Sequence, residues 1–458
     1  MVRAISADYL VVGAGASGMA FVDSLVDHAA ANVVMVDRRH GVGGHWLEAY
    51  PFVRLHQASA FYGVASTQLG TGRIQSTGPE KGLYERASAP EICAYYQRVL
   101  ERLQGTGKVS FHPNCEYLGD NRFSSRLSGK HYEVAPGCRI VDATYLSPDI
   151  PVRTPPPFGI GEGVPVIPVN DLVKVSQAPD QYVIVGSGKT ATDACVWLLG
   201  NGVDPEAICW IRPRDPWMIN RAVLQPDPVV ALGSAADIMA AAAAASSPDD
   251  MFVRLEAAGV MLRIDRSVTP TMAKTPTIAQ WEIDALRTIE NVVRLGHVRR
   301  VEPGRVSLAE GDVRIARNAV VVHCAASGLK YPELVPVWRP EAITLQCVRS
   351  GFPCFGAAVI GYVEATRHDD AEKNRVCPSS PLPDTPSSWA RMQVLGNRAA
   401  RAFTSEPDIR EWAAGTTLNP TRIPPERQDD PQVLAVGERY RAVVGAGIAR
   451  LTEFAGLS

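Results

Sequence analysis

The chain has 458 residues, room for about three domains at roughly 150 residues each. Its 46 Lys and Arg against 48 Asp and Glu leave a net charge of −2, with 46% hydrophobic and 21% charged residues, a balance that excludes a disordered chain and a general nucleic-acid surface. No apolar run approaches the roughly 20 residues that span a bilayer, and the nine cysteines contain no CxxC pair, which removes the simplest zinc-ribbon and dithiol signatures.

The N-terminus opens on a short apolar strand, Tyr9–Val12, but Asp8 and the glycines after Val12 break the continuity a secretion signal needs. A cytoplasmic protein with free thiols is therefore expected, and no membrane span. A helix over 16–29 and a β-branched strand over 32–36 follow, so the first forty residues predict a parallel βαβ unit. Ser88-Ala89-Pro90-Glu91 is a capping box that opens a helix to about 103. Stretches at 109–112, 122–127 and 131–134 look like a meander appended to the first sheet, and the Pro- and Gly-rich run 147–168 reads as a linker.

A second βαβ start comes next, with strand Tyr182–Val185, a helix over 190–199 and strand Ile208–Ile211. The Ala-rich run 231–245, bounded by Pro226, Pro228 and Pro248, is expected to form a packing helix. After Asn318, Val320-Val321-Val322-His323 reads as a buried strand. The economical organisation is α/β with two Rossmann-like dinucleotide-binding domains. Residues 1–150 form the first part of one, 151–317 form the second, inserted into it, and 318–458 return to the first and add a segment that shapes the substrate pocket.

Gly13-Ala14-Gly15-Ala16-Ser17-Gly18 stands between a strand and a helix, the setting in which GxGxxG carries meaning. The first glycine makes the turn, the second admits a pyrophosphate to the helix N-terminus, and the third allows helix and strand to close up. Asp37, 24 residues after Gly13, is placed to accept from a ribose diol and to repel a 2′-phosphate. Gly186-Ser187-Gly188-Lys189-Thr190-Ala191 repeats the pattern with Ala in third place. Its Gly-Lys-Thr is not a P-loop, because Val183 stands where that motif needs glycine. Arg212, with Arg214 nearby, occupies the place that Asp37 has in the first unit, and a guanidinium there suits the 2′-phosphate of NADPH. Val443-Val444-Gly445-Ala446-Gly447 has Arg450 in third place and is not expected to open a further unit.

Asp37-Arg38-Arg39-His40-Gly41-Val42-Gly43-Gly44-His45-Trp46, with Tyr50-Pro51 after it, resembles the acid-then-GGxW segment of class B flavin monooxygenases. That group holds flavin-containing, N-hydroxylating and Baeyer–Villiger monooxygenases. The resemblance implies that Gly13, Gly15, Gly18, Asp37, Arg38, Gly43, Gly44, His45 and Trp46 hold FAD. On the same footing Gly186, Gly188, Ala191 and Arg212 hold NADPH, making the inserted domain the NADPH domain and the outer one the FAD domain. Asp142-Ala143-Thr144 and Ala326-Ser327-Gly328 resemble the two crossing segments that join such domains. The Baeyer–Villiger fingerprint is absent, since Phe158-Gly159-Ile160-Gly161 lacks its glycine spacing and its histidine.

In that family the segment after the GG pair passes beside the flavin ring. Arg54 would then stabilise negative charge and His56 move protons as catalytic residues, with Gln57 beside the cofactor. Asn220 and Arg221 read first as structural residues, and His368-Asp369-Asp370 as a solvated face with no metal. The resemblance implies that reduced flavin adds oxygen at C4a and passes one atom to a small molecule, at an amine nitrogen, a sulfide or an electron-rich carbon. The expected partners are accordingly a small-molecule substrate and O2, with no nucleic acid. A reductase or dehydrogenase with another acceptor, a flavin halogenase, and a nucleotide-binding sensor without turnover are the alternatives.

Overall fold

The computed structural model describes residues 2–328 and 330–457. Two five-stranded, all-parallel sheets form its centre. The first runs in the order Ile343–Thr344, Arg139–Asp142, Tyr9–Val12, Val33–Val36, Val109–His112. The second runs Val166–Pro168, Val320–His323, Tyr182–Val185, Ile208–Ile211, Val292–Val293. Central strands such as Val33–Val36, Tyr182–Val185 and Ile208–Ile211 are buried at every residue, which is why they read as unbroken apolar runs instead of alternating ones.

Helix Ala16–His28 covers one face of the first sheet and crosses helix Pro353–Thr366 closely. A Cβ at Gly361 would stand 2.4 Å from the Phe21 carbonyl oxygen. Of the expected meander, Val109–His112 is the edge strand of the first sheet, while His131–Val134 and Arg122–Ser125 join Val2–Ile5 and Cys115–Gly119 in a separate four-stranded sheet. Two smaller sheets attend the second unit. One is Met261–Arg263, Pro216–Asn220, Met272–Ile278; the other is Gly311–Arg314, Arg305–Leu308, Val298–Glu302, Gly159–Ile160.

The expected return to the first sheet at 318 does not hold. Val320–His323 pairs with Tyr182–Val185 in the second sheet, and among the described residues the first sheet is rejoined only by the two-residue strand Ile343–Thr344. A four-residue β-branched run is satisfied by either parallel sheet, so its composition carries no address. The chain shortly after the first crossing segment meets the end of the second, with the Asp149 N–H donating to the Gly328 carbonyl at 2.9 Å.

The Ala-rich run belongs to helix Pro228–Ala244, packed along the C-terminal helix Pro431–Phe454. The glycines at 445 and 447 sit inside that last helix. A Cβ on Gly447 would come within 2.6 Å of the Met239 carbonyl oxygen, so its small size serves a close helix crossing. Among the described residues no helix is long and apolar enough to cross a membrane.

Candidate active site

Each glycine loop delivers a helix N-terminus into open space. Helices Ala16–His28 and Lys189–Gly200 begin after Gly15 and Gly188 with no side-chain cap and no acidic residue in the first turn. Their leading N–H groups and positive dipole ends are left for an anion. In the first loop the third glycine is a packing requirement, since a Cβ on Gly18 would lie 2.0 Å from the Gly13 carbonyl oxygen. The GG segment folds back onto the same turn. The Gly43 N–H donates to the Ala14 carbonyl at 3.0 Å, and Gly44, at φ +61°, has room for a Cβ only 3.0 Å from Gly15 Cα. Asp37 is fixed at the end of Val33–Val36 by the N–H groups of Ala14 and Arg39, both at 2.8 Å.

The second loop copies this with a difference. A Cβ on Gly186, at φ +142°, would meet the Cys324 carbonyl oxygen at 2.9 Å, whereas one on Gly188 would meet nothing within 4 Å. Ala191 is fully buried against the sheet.

A continuous cavity of about 850 Å3 joins the two loops. Of the residues expected at a site, Gly13, Gly15, Ala16, Ser17, Asp37, Arg38, Gly44, His45, Trp46, His56 and Gln57 line it from the first unit. Gly186, Ser187, Gly188, Lys189, Thr190 and Arg214 line it from the second. Gly18, Gly43 and Ala191 lie behind this wall and shape it.

Two expectations fail. Arg54 is exposed, bonds the Arg86 carbonyl at 3.0 Å through Nη1, and takes no part in the cavity wall. It sits between buried Val53 and Leu55 in extended chain, where alternate side chains point to opposite sides. Arg212 is also off the wall. Its guanidinium is buried, pairs with Asp215 at 2.9 Å and lies over the Trp210 ring. Arg214, whose backbone N–H donates to Ser187 Oγ at 3.5 Å, and Lys274 do line the cavity, and they share Asp384 at 3.1 and 3.5 Å. Lys274 comes from strand Met272–Ile278, far beyond the motif in the chain, which is parallel to Pro216–Asn220. No feature of the second glycine motif points to it.

Lys189 lines the cavity, but its charge is already matched. Its Nζ donates to Asp193 and, at 3.1 Å, to Glu282. Burial pushes the Glu282 carboxyl up, yet Lys189 and Arg221 outweigh this and hold it at about 2. Arg221 continues the chain to Glu80 at 2.5 Å, and Glu80 is held by Arg86. The Tyr50 hydroxyl joins from the first unit by donating to Asp193 at 2.7 Å.

Burial, with Lys189, Arg221 and Arg86 nearby, pushes the His56 imidazole down to about 3, and burial with Arg39 pushes His45 down to about 4. Both rings are neutral at pH 7. Trp46 donates from Nε1 to the Tyr62 hydroxyl at 2.6 Å, with the two rings edge to face. Tyr62, Leu55, Cys347, Pro353 and Leu382 make the cavity apolar on that side; apart from the aromatic at 62, they carry no signal that sequence reasoning could have used.

Two glycine loops on two parallel sheets, with the second unit inserted into the first and one cavity between them, define a two-unit Rossmann-like α/β fold. The chain matches the solved polycyclic ketone monooxygenase of the fungus Thermothelomyces thermophila in that fold, with a TM-score of 0.52 and 14% identity over 100% of this chain and 89% of the other. No protein-family model matches it. The chain belongs to the same family as the uncharacterized proteins Rv2000 of Mycobacterium tuberculosis and Mb2023 of Mycobacterium bovis. It is 45% identical to each over 423 residues, which are 91% of this chain and 78% of theirs.

Proposed function

We propose that the chain is a single-component monooxygenase that holds FAD on the first glycine loop and NADPH on the second. Its substrate is a small molecule, oxygenated at an amine nitrogen, a sulfide or an electron-rich carbon. The observation that carries this reading is the single cavity that both loops enter, because dinucleotides laid on the two helix starts would meet inside it.

The residues fit those groups. Uncapped N–H groups at Ala16 and Lys189 suit two pyrophosphates, and the space at Gly188 is open. Asp37 suits an unphosphorylated ribose, as in FAD, while Arg214 and Lys274 supply the charge that a 2′-phosphate needs. Bound together, FAD would take hydride from NADPH and return the electrons to dioxygen, one atom of which reaches the substrate while the other leaves as water.

The chain's own part is to bind, orient and exclude water. The Trp46–Tyr62 pair and the apolar side chains beside it keep that end of the cavity dry. His56, held neutral, offers one ring N–H and one lone pair without adding charge. The fold shared with a polycyclic ketone monooxygenase supports the same reading.

The test is to reduce the purified protein anaerobically with NADPH, admit isotopically labelled oxygen, follow the visible spectrum by stopped flow, and screen amines, sulfides, ketones and arenes for labelled product. Label in a product supports the proposal. Electrons recovered only in hydrogen peroxide or an added acceptor would make the chain a reductase, and protein that binds no flavin would overturn the reading.

A further inference from the structure

We propose that Arg221 is a positioning residue, reaching from the second unit to the His56 carbonyl and thereby setting the direction from which the His56 and Gln57 side chains enter the cavity. The inference rests on the reading of that cavity as a flavin and NADPH site.

The Arg221 guanidinium is fully buried and spends its three arms on three separate segments. Nη1 donates to Glu80 at 2.5 Å, Nη2 to Glu282 at 2.6 Å, and Nε to the His56 carbonyl oxygen at 2.8 Å. The Thr277 hydroxyl donates to the same carbonyl. Both donors belong to the second unit, while His56 belongs to the first. A carbonyl held by two donors fixes the peptide plane between residues 56 and 57, and the side chains on either side of that plane line the cavity.

Arg221 is itself held from all sides. Glu80 also accepts from Arg86 Nε at 3.0 Å, and Glu282 also accepts from the Ala279 N–H at 2.8 Å and from Lys189. Gln225 ties down the backbone by donating to the Arg221 carbonyl at 2.7 Å and accepting from the Tyr84 N–H at 2.8 Å. Neutralising Glu80 and Glu282 requires only positive charge. Reaching a third acceptor, the His56 carbonyl, from the same head group requires the planar fork of arginine.

The experiment uses flavin-loaded full-length protein carrying Thr277→Val or Arg221→Lys, each alone and combined with His56→Ala. The readouts are the visible spectrum of the bound flavin and the rate constant for anaerobic reduction by NADPH. Each substitution alone is expected to shift the flavin spectrum and slow reduction about fivefold, the worth of one hydrogen bond, with KM for NADPH within about twofold. In the His56→Ala background either substitution should change the spectrum less, because only Gln57 is left to move. Thr277→Val leaves every charge in place, so it decides the matter if Arg221→Lys fails to fold. An unchanged spectrum and rate in Thr277→Val, or changes of equal size with and without His56, overturn the positioning role. Unsubstituted protein that binds no flavin or is not reduced by NADPH overturns the cavity reading instead.

Discussion

Replacing Gly188 by alanine separates binding from folding more cleanly than any other single change at this site. Gly188 has φ −82° and ψ −178°, extended backbone open to any residue, and a Cβ there meets no atom within 4 Å. The folded state therefore gives up nothing, while the unfolded chain loses some freedom, so stability should stay level or rise by about 0.5 kcal/mol. The methyl group stands where a pyrophosphate would come onto the uncapped N-terminus of Lys189–Gly200. Displacing it costs one charge-assisted hydrogen bond or more, about 1.5–3 kcal/mol each, which is roughly 10- to 100-fold in affinity. NADPH titration, a thermal melt and flavin content measured on one preparation check this. The expectation is weak NADPH binding with the melt and flavin content unchanged. Unaltered NADPH affinity, or a fall in melting temperature matched by loss of both ligands, would refute the reasoning. Gly186→Ala is the contrast: its positive φ and the Cys324 carbonyl at 2.9 Å make it a folding defect whatever binds.

Arg214→Ala should raise KM for NADPH about tenfold, the worth of one charge-assisted bond, and leave NADH almost unaffected. Arg212→Ala should instead destabilise the fold by about 2 kcal/mol, and steady-state kinetics with both nucleotides plus a denaturant melt tell the two apart. Arg54→Ala should leave flavin content and turnover within about twofold, because its one bond to the Arg86 carbonyl is exposed; a large loss of turnover would restore it to the active site. The depressed values of His45 and His56, about 4 and 3 against an ordinary 6.5, mean that below pH 6.5 the unfolded chain takes up protons that the folded chain refuses. Stability should fall as pH drops from 6.5 toward 5, by up to about 1.4 kcal/mol per histidine per unit. Urea melts should show His56→Gln with a shallower decline than the unsubstituted protein; equal slopes would place the His56 ring in water.

Both glycine loops could be read from sequence because a tight turn, a backbone approach and a helix packed on a strand each demand a residue type in fixed order. The GG segment was legible for the same reason, since Gly44 meets Gly15 at van der Waals limits. Arg54 was misplaced although its signal was present: the buried pair Val53 and Leu55 on either side puts it on the opposite side. Arg212 and Arg214 flank Pro213, and no local pattern says which of them turns inward. Lys274 and the sheet joined by Val320–His323 depend on strand pairings far apart in the chain, and pairing partners leave no mark on a short apolar run.

The row Asp193, Lys189, Glu282, Arg221, Glu80 and Arg86 carries three charges of each sign and lies across the junction of the two units, almost out of reach of water. Of its links only Arg221–Glu80 joins the two units, so sliding the second unit stretches that one buried pair before water can hydrate both of its ends. Resistance to relative motion of the units is therefore concentrated at one buried ion pair, and a nucleotide that moved them would have to work against it.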